Sequence, residues 1–508
     1  MAAVGSLIRQ KVRAMRMTQL MLAAIFTIAL ASSGVRGAAP DAKPSARTFR
    51  AGAFAIDITP LELPVLVNGN MSAVLADTVN DRLHARCLVL DDGTNQVAIV
   101  IVDSCMIPRD LLDHAKELAS QATGIPTSRM LISSTHTHSA PSSYGCLGTD
   151  ADPKYIKFLP PQIAKGITQA HKNLAPARIG WGMGRDEKNV ANRHWVMKPG
   201  VAPTNRFGGT KEDTVMMHPG HNNPNAIRPA GPVDPDVPVV SLQTLDGKPI
   251  ALLSAYSLHY VGAKALSADY FAGFCDKIGE KIGADKNDDK SRPPFMAALA
   301  NATSGDTWLM DYTQKERRTY DIPGVAEDVS SAAFAAFQKI EYFDWAPLVM
   351  EEKLLTLGVR MPNQQEVEQA KEVVKTLNGE KGKTLEEIYA RETLLLHELP
   401  STRELKLQAI RIGDLAIASI PNEVYGITGL TIKKESPVKT TFVIELANGC
   451  EGYLPPPELL KLGGYTCWRA RTSCLEPEAE PKIRGAVLEL LKEVAQQRKD
   501  ESAAPSQK

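Results

Sequence analysis

Short apolar runs that end in turn residues alternate with stretches whose apolar positions recur every three or four residues. The runs 86–90 and 96–102 predict strands around the turn Asp91-Asp92-Gly93, and 239–244 and 250–256 predict a hairpin across Asp246-Gly247. The run 405–412 pairs in the same way with 415–420 across Gly413-Asp414. Further strands are expected at 130–134, 177–181, 295–299, 349–359 and 440–446. Helical periodicity marks 108–122, 154–172, 270–282, 325–339, 425–433 and 481–497. Two polar amphipathic helices, 364–377 and 385–396, flank the solvent turn Asn378-Gly379-Glu380 and predict a peripheral helical hairpin within 363–397. Residues 182–236 are rich in Gly, Pro, Asn and His and show little periodicity. So long an irregular stretch inside a domain is usually either functional or badly ordered. Mixed alternation with three hairpins predicts an α/β fold: a mixed β-sheet core flanked by helices, in one large domain over 51–497.

Composition changes this picture mainly at the ends. The chain has 508 residues, 44% of them hydrophobic, with 58 basic and 58 acidic side chains. No basic stripe points to nucleic acid. Arg9, Lys11, Arg13 and Arg16 precede an apolar core at 20–31, and small residues follow. That layout is a signal peptide over 1–37, cleaved near Gly37 or after Ala31, and it predicts a secreted or periplasmic protein. The apolar core falls short of the ~20 residues that a membrane span needs, and no later stretch reaches that length. Residues 38–50 read as a disordered lead-in and 498–508 as a disordered tail. Of seven cysteines, Cys467 and Cys474 are the first candidates to pair, with Cys450 a rival partner. Cys87, Cys105 and Cys275 sit in apolar contexts and read as buried thiols.

Chemistry concentrates where apolar runs stop. Met130-Leu131-Ile132 opens into Thr135-His136-Thr137-His138-Ser139. In an extended backbone, residues two apart face the same side, so both imidazoles can reach one site. Neutral imidazole suits zinc. Three more runs have the same form: 250–258 leads to His259, 415–421 to Asn422-Glu423, and 442–446 to Asn448-Gly449 and then Tyr453. Each also has a structural explanation. His259 could be a hydrogen-bonded core histidine, Glu423 a cap on the helix that follows, and Tyr453 a packing ring. No G-x-S-x-G elbow is present, which argues against a serine hydrolase. Cys105-Met106-Ile107-Pro108-Arg109 has the wrong spacing for a sulfatase.

Taken together, these pieces resemble the N-terminal catalytic domain of neutral/alkaline (non-lysosomal) ceramidases. Leu83-His84-Ala85-Arg86 is similar to that family's L-x-A-R, and the stretch from Thr135 to Pro141 to its T-H-T-H-S-G-P. Ser257-Leu258-His259 and Pro421-Asn422-Glu423 also match, the latter against P-G-E. Residues 267–274 look like its S-D-N-x-G-Y segment and 464–473 loosely like Y-E-G-A-S-T. The resemblance runs in consistent order over roughly 50–495, and H-T-H-S is its one specific motif. It implies a zinc-dependent amidase acting on N-acyl-sphingosine or a related lipid-like N-acyl substrate, with transient contact to a membrane surface. The implied zinc ligands are His136, His259, Glu423 and Tyr453, with Tyr465 competing for the last place. His138 would stand beside the metal and Arg193 would hold a developing oxyanion or a substrate carboxylate.

The chain also departs from the pattern. Asn301-Ala302-Thr303-Ser304-Gly305-Asp306-Thr307-Trp308 keeps Gly-Asp and puts Trp308 where the family has its serine. Ser304 is either catalytic or a turn residue, and Asp306 either an acid/base or a loop-shaping group. No counterpart of the family's C-terminal immunoglobulin-like domain is expected after the 481–497 helix. Two other functions therefore stand beside the amidase: a zinc hydrolase for another ester or amide, and an exported non-catalytic binding protein on the same fold.

Overall fold

The computed structural model describes residues 47–210, 212–284, 292–379 and 381–502. The expected signal peptide, most of the lead-in and the last residues of the tail lie outside them. Within the lead-in, Phe49 is fully buried and Arg50 opens the first strand.

Eight strands form the path of the larger sheet: β1 (Arg50–Asp57), β2 (His84–Asp91), β3 (Gln96–Val102), β4 (Met130–Ser134), β5 (Ala175–Arg185), β6 (Asp236–Thr244), β7 (Pro249–Tyr256) and β8 (Met296–Asn301). Their order is β8-β7-β6-β5-β1-β2-β3-β4, with Tyr342–Phe343 pairing beside β5. The neighbours β7/β8 and β3/β4 are parallel and the other pairs antiparallel. The expected mixed sheet is present, but its two halves join through a short ladder, Arg50 with Pro176 and Ala51 with Ala175, extended by Ala177 N donating to Phe49 O.

A second sheet, β9 (Leu348–Gly358), β10 (Thr402–Ile412), β11 (Leu415–Ser419) and β12 (Thr440–Ile444), lies face to face with the first. Ile99, Ile101, Leu131, Leu242 and Leu253 of the first sheet pack there against Met350, Ile410, Ile417, Phe442 and Ile444 of the second. Strands buried on both faces read as unbroken apolar runs, and β3 shows why. Val97, Ile99 and Ile101 enter this core. Ala98, Val100 and Val102 point the other way, onto α1 (Arg109–Thr123) and α2 (Tyr155–Lys172). Helices α3 (Asp269–Ile282) and α4 (Ile322–Phe337) cover β6 to β8. A further helix, Ala479–Ser502, covers the outer face of the second sheet through Ile483, Val487, Leu491 and Val494. The layers are thus helix, sheet, sheet, helix.

The helical hairpin is present as α5 (Gln364–Lys375) and α6 (Leu385–His397), each opened by a capping box, Asn363 with Glu366 and Thr384 with Glu387. It packs on Leu147, Phe207 and Trp468.

Two expectations need correction. The 182–236 stretch is not irregular throughout. Strand β5 runs on to Arg185, and His194–Met197, Val215–Met217 and Ala226–Pro229 form a three-stranded sheet. The glycines that hid β5 let α4 lie directly on it, since a Cβ on Gly184 would stand 2.3 Å from the Ala332 carbonyl oxygen. The cysteines do not pair: all seven are free thiols, Cys450, Cys467 and Cys474 included. Arg360 holds the 467–475 loop instead, donating to the carbonyl oxygens of Cys467, Ser473 and Leu475.

Lys116 of α1 is fully buried and donates to Asn448 Oδ1 at 2.7 Å, tying the helix to the turn after β12. Burial, with Lys406 nearby, pushes its pKa down to about 7. An unfolded lysine titrates near 10.4. Between those values the unfolded chain binds the extra proton, so this residue's burial penalty is full below about 7 and is relieved as pH rises. The stability of the wild type relative to Lys116→Met should therefore rise between pH 7.5 and 9.5 by on the order of 1 kcal/mol per pH unit, read by urea unfolding. A difference independent of pH would refute the depressed pKa.

Candidate metal centre

The strands deliver their C-terminal ends to one place because the segments after them are stitched together. Ser134 N donates to Leu446 O, Glu445 N to Asn301 O, Ile420 N to Ile444 O and Ala302 N to Tyr256 O, all at 3.0–3.1 Å. The ends of β4, β7, β8, β11 and β12 thus meet, and His136, His259, Ser304, Glu423 and Glu445 follow them.

His136 does not sit in extended backbone as the alternation argument assumed. Strand β4 stops at Ser134 and His136 adopts φ +69°, a left-handed conformation seldom populated by side chains other than glycine. The segment is held by His136 N donating to Ser104 O at 2.9 Å and by Thr137 Oγ1 donating to Ser267 O at 2.8 Å. Residues that keep such strain cluster at functional sites.

Three imidazoles and one carboxylate converge there. His136 Nε2 lies 3.0 Å from His259 Nε2, 3.2 Å from His138 Nε2 and 3.2 Å from Glu423 Oε2. His259 Nε2 is 3.8 Å from the same carboxylate oxygen. The ring backs of two of the histidines are anchored: His136 Nδ1 is 2.8 Å from Cys105 O, and His259 Nδ1 is 3.2 Å from Ser304 O. A carbonyl oxygen only accepts, so both Nδ1 atoms carry the proton, which in a neutral ring leaves Nε2 with a bare lone pair. Burial, then neighbouring positive charge, pushes the pKa of His259 and His138 well down, which keeps these rings neutral. Glu423 Oε2 is buried without a hydrogen-bond partner. Bare lone pairs facing one another and an unpartnered carboxylate oxygen call for a cation, and His136, His259 and Glu423 have the spacing to hold one.

The remaining sequence-derived residues divide. Tyr453 sits opposite Glu423 in a two-residue parallel pairing, with its hydroxyl 3.2 Å from Arg193 Nη2. Burial, with Glu423 adding, holds that phenol well above its ordinary pKa. Arg193 also donates to Gly305 O at 2.8 Å, while its Nε has no partner. Tyr465, the alternative to Tyr453, has its ring centre 6.0 Å from that of Tyr453. His138 stands beside His136 and His259, its Nε2 3.2 Å from that of His136. Its ring lies between Gly69, where a Cβ would come within 2.5 Å, and Tyr260, stacked at 3.8 Å.

Asp306 faces elsewhere. Its carboxylate accepts from Asn192 Nδ2 at 2.7 Å and Gly426 N at 2.8 Å, and burial pushes its pKa up to about 6. Both oxygens are occupied in fastening the loop. Ser304 is fully buried, with Asn301, His259 and Glu445 all within hydrogen-bond distance of its hydroxyl. Trp308 pairs with Ala191 at the rim, its ring edge-on to Tyr260 at 4.7 Å and to His218 at 5.3 Å.

Sequence reasoning read Cys105 only as a buried thiol and did not single out Tyr260 or Glu445 as site residues. Only Tyr260 had a local signal, as the neighbour of His259; the other two enter through tertiary contact.

The molecule is thus a mixed α/β double sheet carrying a buried His-His-Glu centre competent for a divalent metal. No family model matches the chain. Neutral ceramidase B of Dictyostelium discoideum is 24% identical over 274 residues, 51% of this chain and 35% of that protein. Neutral ceramidase A of the same organism is 25% identical over 251 residues, 46% and 32% of the two. The aligned stretch therefore spans about a third of these relatives' length. The crystal structure of neutral ceramidase from Pseudomonas aeruginosa superposes with a TM-score of 0.64 at 16% identity, covering 89% of this chain and 75% of that one. A ceramidase complexed with C2 gives 0.63 at 16%, covering 89% and 76%. The chain is neutral ceramidase-like, and its fold is that of the solved neutral ceramidase. No helix among the described residues is long and apolar enough to cross a membrane.

Gly305 lets the Ser304–Asp306 loop lie against the glutamate's backbone: a Cβ there would stand 2.6 Å from Glu423 O. Gly305→Ala should displace Glu423 and cost at least tenfold in zinc affinity while the fold survives, as followed by chelator competition and circular dichroism. Unchanged affinity would show that this contact does not position the carboxylate.

Proposed function

We propose that the chain is a secreted zinc-dependent hydrolase that cleaves an amide bond in N-acyl-sphingosine or a related lipid-like N-acyl substrate. The observation that carries this is the convergence of His136 Nε2, His259 Nε2 and an unpartnered Glu423 Oε2. Two neutral histidines and a carboxylate are a donor set of catalytic zinc sites, and Tyr453 is proposed as the fourth ligand. Zinc held there would supply Lewis-acid polarisation of the scissile carbonyl and activation of water near neutral pH.

The chain's own residues account for the rest. Arg193, permanently charged and fixed by Gly305 O and Tyr453, places a guanidinium with a free Nε–H beside the carboxylate that would face the substrate. Such a fixed donor stabilises a developing oxyanion with little reorganisation. His138, neutral and stacked on Tyr260, orients the substrate or takes up a proton through Nε2. Ser304 and Asp306, candidates for direct catalysis in the sequence, support the site: Ser304 behind His259 and Asp306 at the start of the Gly426–Glu435 helix.

Purified protein should contain close to one zinc per chain by elemental analysis. His136→Ala and Glu423→Ala should each lose it together with turnover of a fluorescent N-acyl-sphingosine. A folded wild type that takes up no zinc would sink the enzyme assignment.

A second substrate class is favoured by Trp308. The indole stands at the rim against Tyr260 and His218, where ceramidases have a serine. It would narrow the approach and select a different ester or amide. Under that alternative, Trp308→Ser would raise ceramide turnover at least tenfold over the wild type, compared by kcat/KM. Under the ceramidase assignment it would leave turnover within a factor of three.

A further inference from the structure

Glu445 lies one residue past β12 and is completely buried. Its two oxygens reach both halves of the metal centre. Oε2 accepts from Val424 N, the residue after Glu423, at 2.6 Å, and from Ser304 N at 3.2 Å. Oε1 accepts from Ser304 Oγ at 2.5 Å. Ser304 in turn supplies the carbonyl oxygen that takes the His259 Nδ1 proton at 3.2 Å, with Oγ at 3.3 Å from the same nitrogen. One carboxyl group therefore spans the backbone beside one proposed ligand and the residue that holds another.

We infer that Glu445 is a positioning residue for the metal centre. It fixes the His259 tautomer through Ser304 and fixes the Glu423 carboxylate through the Val424 amide. This rests on the zinc reading above.

The physical case is one of partners and alternatives. Ser304 spends its backbone N–H and its hydroxyl proton on Glu445. Its hydroxyl oxygen receives Asn301 Nδ2 at 2.9 Å. A serine engaged on these sides cannot rotate, so its carbonyl stays aimed at His259 Nδ1 and the ring keeps Nε2 bare. Without Glu445, Ser304 N and Val424 N would be buried donors with no acceptor, a penalty that the loop would relieve by moving. Any such movement turns the His259 ring and shifts Glu423. Outer partners of this kind are typically worth about 10–100-fold in metal affinity.

The test measures zinc affinity of the full-length protein by competition with a chromophoric chelator, with folding checked by circular dichroism. It also reads the His259 side-chain ¹⁵N shifts of metal-free protein, assigned through His259→Gln. Glu445→Ala should weaken zinc binding at least tenfold and shift His259 away from the Nδ1-protonated tautomer. Glu445→Gln keeps the shape and one carbonyl acceptor, so its loss should be smaller, and it decides the matter if the alanine variant fails to fold. Affinity and ¹⁵N shifts equal to wild type in a folded variant would overturn the inference. A wild type that binds no zinc would instead overturn the functional assignment, and the two failures are distinct.

Discussion

An unpartnered carboxylate oxygen set among imidazoles, with almost no exposure to solvent, is the arrangement on which the rest depends. Glu423 is 1% exposed, and His136 and His259 are no more exposed than that. A buried charge of this kind costs several kcal/mol unless a cation or donors meet it. Arg193, a fixed cation beside this group of side chains, is committed to Gly305 O and to Tyr453. A divalent ion at the bare Nε2 atoms and Glu423 Oε2 would resolve the imbalance, so the burial that makes the apoprotein expensive is also what would make metal binding strong.

The double sheet is what makes such a site rigid. Each participating strand is buried on both faces, so its end cannot shift without disturbing two cores. The cross-bonds between residues 134 and 446, 301 and 445, and 420 and 444 lock the ends to one another. Strain at His136 is tolerated because neighbouring backbone bonds over-determine it. The rim is built differently, from short strands and loops carrying Arg193, His218 and Trp308. A stiff base with a rim of short strands and loops is one way a fold keeps a chemistry while changing substrate.

Much of the architecture was legible because burial on both faces writes itself as apolar runs. The strands 96–102 and 130–134 and the helices 154–172 and 385–396 stand within a residue or so of their expected limits. Strand β1 was not legible, since Arg50–Asp57 alternates small residues with few bulky ones and follows a polar lead-in. The second sheet was not legible as separate, because periodicity states that a strand is buried but not against what. The end of β5 was masked by glycines whose purpose is a helix lying on top of it.

By itself, the sequence determined the element list, the positions of His136, His259 and Glu423 after apolar runs, and the likeness to neutral ceramidases. These are local properties: periodicity and motif spacing are carried by neighbours in the chain. Only the tertiary structure decided which partners the polar atoms of Ser304 and Asp306 meet, and that Glu445 reaches both Ser304 and Val424. Those outcomes depend on hydrogen bonds between residues more than a hundred positions apart in several cases, such as Ser304 with Glu445 and Asp306 with Gly426. A polar side chain's role is set by which partners use up its donors and acceptors, and those partners are fixed only when the strand ends meet.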